Sequence, residues 1–154
     1  MAGVAPERQA EIDKLWSTYD PDIEVIEDRR GITLNATRHR IQFAPKTMDV
    51  FWLVGFSGWR AIQCYSPHVI LSACGGSLQA LLDNDDRLPE LEREYKERLT
   101  AAKRLIAEGD AAVSPWPPDI PRPSADRNAF DDAQYMAAFD LSVIAVAFTF
   151  LHEF

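Results

Sequence analysis

No apolar run in this sequence reaches the length needed to cross a bilayer. A helical span through ~30 Å of hydrocarbon takes about 20 apolar residues. The stretch at 50–59, VFWLVGFSGW, stops at Arg60. The stretch at 136–151, MAAFDLSVIAVAFTFL, has 16 residues and carries Asp140. A helix buried in protein is expected there, and no membrane partner. The opening, MAGVAPERQAEIDKLW, has no long apolar core of a secretory leader, so a cytoplasmic location is expected. Positive charge is scarce as well. Lys and Arg number 16 against 24 Asp and Glu, a net charge of −8. That balance excludes broad, nonspecific nucleic-acid binding, which needs a basic surface. There are two cysteines, Cys64 and Cys74, and they form no Cys-x-x-Cys. Both are expected to be reduced and to pack as small apolar side chains.

Several catalytic signatures are missing too. There is no Gly-x-Ser-x-Gly for a serine nucleophile. CGGS at 74–77 is a glycine turn without a phosphate-loop lysine. DNDD at 83–86 lacks the glycine and distal glutamate of a calcium loop, so it is expected to link and cap helices. Of the three histidines, His39 lies in the basic turn TRHR and is expected to be solvated. His68 follows Pro67 and is expected to be a partly buried core residue.

What is present suits a folded core. The apolar fraction is 47 %, and 154 residues fit a single domain, 1–154. The expected fold is α+β and mostly helical. A first helix carries Ile12, Leu15, Trp16 and Tyr19 at helical spacing and ends at Pro21. Alternating apolar residues in 22–28, 31–36 and 39–43 suggest three short strands, most economically an antiparallel meander with one wet face. Residues 47–72 suggest two helical pieces broken near Ser66-Pro67 and stopped by Gly75-Gly76. Trp52, Phe56 and Trp59 share one face. RLPELEREYKERLTAAKRLIAE at 87–108 is amphipathic, with Leu88, Leu91, Tyr95, Leu99, Ala102 and Ile106 in steps of three and four.

SPWPPDIPRPSAD at 114–126 holds five prolines in 13 residues, so it can be neither a helix nor a central strand. Trp116 and Ile120 make it too apolar for a plain tether. An ordered, extended connector is expected. A last helix follows, with Asn128 as N-cap and Asp131 and Asp132 near its positive end. From Tyr135 to Leu151 apolar residues fall on every side, which suggests a helix surrounded by protein.

That helix ends in His152-Glu153. In His-Glu-x-x-His the two histidines face one zinc ion from adjacent turns, and the glutamate takes the proton of the metal's water. A bare His-Glu dipeptide is common and says little alone. The connector and DRNAFDDAQYMAAFDLSVIAVAFTFLHEF together, residues 114–154, resemble the segment leading into the metal site of the phage-exclusion peptidases typified by Lit. These are zincin-like metallopeptidases.

The resemblance implies a zincin-like support region, His152 as the first zinc ligand, Glu153 as the catalytic glutamate and zinc as the cofactor. The substrate would be a protein or peptide. The motif's second histidine would fall two residues past Phe154, so the expectation is the N-terminal portion of a peptidase, inactive alone. A homodimer through the C-terminal helix is a further expectation. The alternative is a non-catalytic protein-interaction domain.

Overall fold

Thr33 and Thr47 tie the short strands to the first long helix. A computed structural model describes residues 8–27, 33–37, 39–108, 116–123 and 132–152, with side chains of the last helix described as far as Thr149. The elements run α1 (Gln9–Tyr19), β1 (Asp22–Val25), β2 (Leu34–Thr37), β3 (Arg40–Phe43), α2 (Pro45–Ala73), α3 (Leu78–Asp83), α4 (Leu88–Glu108) and α5 (Ala133–His152). The fold is α+β and mostly helical, with its small sheet near the N-terminus. Among the described residues no helix is long and apolar enough to cross a membrane.

The sheet is mixed, in the order β1-β3-β2, and not an antiparallel meander. β1 runs parallel to β3, and β2 antiparallel to it. The reason lies in β3, which feeds straight into α2 and brings Ile41 and Ala44 into the interior. The strand anchored to the helices takes the centre, and the others flank it. β2 is tied to the same junction: Ala44 N donates to Thr33 O at 3.1 Å, and the Thr47 hydroxyl donates to Thr33 O at 2.9 Å. The expected wet face is present. Ile23, Val25, Ile41, Phe43, Leu34 and Ala36 share one side, while Asp22, Glu24, Arg40 and Gln42 lie on the other.

α2 is a single helix through Pro67, where two pieces are expected from sequence. Proline removes one N–H and one ladder bond. The helix survives because Cys64 and His68, on either side of Pro67, are both buried against neighbours. It ends as the glycines suggest, with Gly75 at φ 106°. α3 follows, capped by Ser77, whose hydroxyl accepts from Ala80 N. The sequence reading had only a turn and a linker there.

α2 is the axis of the core. Val50, Trp52, Leu53 and Phe56 from α2 meet Ala102 and Leu105 from α4, Ala138 from α5 and Ile120 from the connector. Lys46 reaches the last carbonyls of α4 by donating to Ile106 O at 3.5 Å, charge-complementary to a helix C-terminus. Trp52 Nε1 donates to Pro121 O at 2.8 Å, and Trp116 Nε1 to Ile120 O at 2.7 Å. The first bond holds the connector against α2, and the second closes a turn within it.

α5 is not enclosed on every side. Asp132 caps it, accepting from Gln134 N at 2.6 Å; Asn128 and Asp131 lie outside the described residues. Ala138, Ser142 and Ala147 are buried, while Ile144 is 51 % and Phe148 70 % exposed. An apolar surface all round does not require cover all round; α5 packs by the face that bears its smallest residues.

Candidate active site

The position of His152 is set by how α5 docks on α2. Gly55 of α2 lies against Ala138 and Ser142 of α5. A Cβ at Gly55 would stand 2.9 Å from Ala138 O and collide with the Ser142 hydroxyl. Glycine is therefore required by the close approach of two backbones. Ser142 Oγ donates to Ala138 O at 2.7 Å and approaches Phe51 O at 3.4 Å. Trp52 meets Phe139 edge-on at 5.8 Å, and Phe56 meets Tyr135 at 5.5 Å.

Rising α2 numbers meet falling α5 numbers, so the helices are antiparallel. From Ser142 to His152, α5 rises about 15 Å toward the end of α2 where β3 joins. His152 is the final residue of α5, and Glu153 lies outside the described residues. Among the described residues no group of three or more His, Cys, Asp or Glu could hold a metal ion. The donor chemistry of the chain, one helix-borne imidazole followed by a carboxylate, fits one corner of a zinc site and its base. The described residues do not supply the other ligands.

The two other histidines do not join it. His39 is exposed in the turn before β3. His68 is buried on α2, and its Nε2 lies 3.2 Å from Asp85 Oδ2. Arg87 binds the same carboxylate through its side chain and its amide. These bonds, with the nearby His68 imidazole, hold the Asp85 carboxyl below the usual carboxylate range. His68 and Asp85 line a cleft of about 470 Å³ between α2 and α3, floored by Leu71 and Leu81 and edged by Ser77.

Ser, His and Asp thus share one cleft without forming a nucleophilic relay. The Ser77 hydroxyl is occupied in capping α3, and His68 Nδ1 is buried with no hydrogen-bond partner. A relay needs the second imidazole nitrogen on the hydroxyl. The glycine turn at 74–77 and the DNDD linker were visible in the sequence; the Ser77 cap and the approach of these segments to His68 depend on helix packing.

The spacing of Glu94 and Arg98 suits an i,i+4 pair, which is present at 3.9 Å, but nothing in the sequence marks Arg98 as buried. It is 7 % exposed at the α2–α4 seam. Its Nη2 donates to Asp119 of the connector at 2.8 Å, and its guanidinium lies 5.9 Å from the Phe56 ring centre. Arg60 pairs with Glu94 beside it. Buried charges persist when paired in this way. A further polar set joins Tyr65, Tyr95, Glu92 and Lys96. Hydrogen bonds to Glu92 and then Tyr95 push the Tyr65 hydroxyl's pKa upward. Both sets lie along the α2–α4 seam and build no hydrolytic centre.

Compared with known proteins, residues 41–154 match the family described as Peptidase U49. No curated protein and no solved structure matches the chain. The matched region opens at Ile41 within β3, so β1 and β2 lie outside it. It includes all of α2, α4, the connector and α5.

Proposed function

The chain belongs to the Peptidase U49 family, and from that premise we propose that its peptidase function is zinc-dependent and zincin-like, as in the phage-exclusion peptidases that residues 114–154 resemble. The carrying observation is that the matched region includes α5, a helix anchored to the core at Gly55 and ending on His152. His152 is the residue that would hold the ion. Zinc, when bound, supplies a Lewis acid that acidifies water and polarises a carbonyl. Glu153 takes a proton on its carboxylate and returns it to the leaving amine. The Gly55–Ser142 contact sets the height of α5, and so of His152, against the rest of the molecule.

Metal content tests this reading. The product of the full reading frame that encodes this chain is purified without chelators, and its zinc is measured. Wild type and Glu153→Gln should carry zinc equally, because the glutamate is not a ligand. His152→Ala should lose it, with the helical circular dichroism unchanged. Zinc retained in full by His152→Ala would overturn the assignment.

A further inference from the structure

The outer edge of β1 is unpaired among the described residues. Asp22 N donates to His39 O at 3.0 Å, and Ile26 N to Phe43 O at 3.0 Å, both toward β3. Backbone groups alternate sides along a strand. The N–H and C=O groups of Ile23 and Val25 therefore point away from the sheet. Their side chains are 58 % and 59 % exposed, on the same face as buried Ile41. The apolar face of the sheet is thus buried at its centre and open along β1. On the opposite face, and flanking the strand, Asp20, Asp22, Glu24 and Glu27 are all exposed. Glu24 is partly satisfied by Gln42 at 2.7 Å and Arg40 at 3.6 Å; for the other three carboxylates the structure gives no basic partner among the described residues.

We propose that this edge takes an extended segment of a partner protein, in which basic residues alternate with apolar ones. A strand added beside β1 would pair with the outward groups of Ile23 and Val25. Alternate side chains of that strand would extend the apolar face past Ile23 and Val25. The others would stand beside Asp22 and Glu24, where opposite charges across neighbouring strands attract. The same acids decide against a second copy of this chain, because two such edges would set carboxylate against carboxylate. β1 lies outside the region that matches the peptidase family. The surface is therefore a property of this chain's N-terminal part, and the inference stands independently of the zinc reading.

The test uses the whole chain and a short fluorescent peptide of alternating lysine and valine, followed by anisotropy. A glutamate–valine peptide and a lysine–valine peptide N-methylated on one edge are the controls. The lysine–valine peptide should bind, the glutamate–valine peptide should not, and N-methylation should weaken binding about tenfold or more, the loss of paired main-chain bonds. Ile23→Pro removes an outward N–H and no bond to β3, and it should weaken binding similarly. Asp22→Lys should erase the preference for lysine. Absence of binding, equal binding of both charge types, or binding indifferent to N-methylation would each overturn the proposal. The last result would mean charge attraction without strand pairing. The methylated peptide keeps the test sound if Ile23→Pro fails to fold.

Discussion

Single residues carry much of the packing of this molecule, and some do so against their chemistry. Asp49 lies on α2 near the connector, and burial pushes its carboxyl up while Arg122 pulls it down, burial being the larger effect. A carboxyl whose pKa rises on folding favours the folded state when protonated. Its favourable linkage is complete below the ordinary value of 3.8 and is lost as pH rises through the folded value. Asp49→Asn should therefore raise the urea midpoint at neutral pH, and the gain should fade toward acid pH. A loss of stability at neutral pH would mean that attraction to Arg122 outweighs burial. At this scale the sequence was legible where chemistry matched environment. Trp52, Phe56 and Trp59, read from spacing as one face, belong to the core or pack against it. Arg98 was not legible, because its burial depends on Asp119, a connector residue with no periodic signal linking the two.

Elements were legible by type more than by pairing. The amphipathic pattern of 87–108 became α4 almost residue for residue. Its apolar stripe gave only part of the buried line: Ala102 is buried, Arg98 and Leu105 join it from outside the stripe, and Ile106 is exposed. Strand positions were legible from alternation, but their order was not, since it follows from β3 feeding α2. Pro67 was misleading because tertiary contacts on both sides outweigh one missing hydrogen bond. Gly55 was misleading in the same direction, a helix-weakening residue by propensity whose place is fixed by α5. Gly55→Ala should cost about 1–3 kcal/mol in a urea melt, the usual range for overpacking, with the helices forced apart at Ser142. A neutral or stabilising effect would mean that α5 shifts easily. In that case the position of His152 would not be set by this crossing.

The whole molecule is a helical frame with a small sheet at one end. α4 and α5 both run antiparallel to α2, and the connector is bound between them by Trp52, Arg98 and Ile120. α5 carries His152 toward the sheet end. The cleft at His68 lies far along α2, about 35 Å of helix from its start at Pro45. The candidate metal ligand and the cleft therefore belong to different ends, and the cleft is no part of the proposed peptidase site. The peptidase character of the chain was legible through the resemblance of its last 41 residues, 114–154, to a peptidase family, carried by the proline-rich connector together with the apolar helix that ends in His-Glu. The sheet edge was not legible, since exposure of Ile23 and Val25 depends on strand order. The central claim is that Glu153 serves peptide-bond hydrolysis. It is tested most directly by peptide cleavage with Glu153→Gln, using the full reading-frame product at matched zinc content. A general base supplies about 10²–10⁴-fold in rate, so Glu153→Gln should lower kcat by that factor with KM little changed. Wild-type cleavage that persists undiminished in Glu153→Gln would contradict the claim.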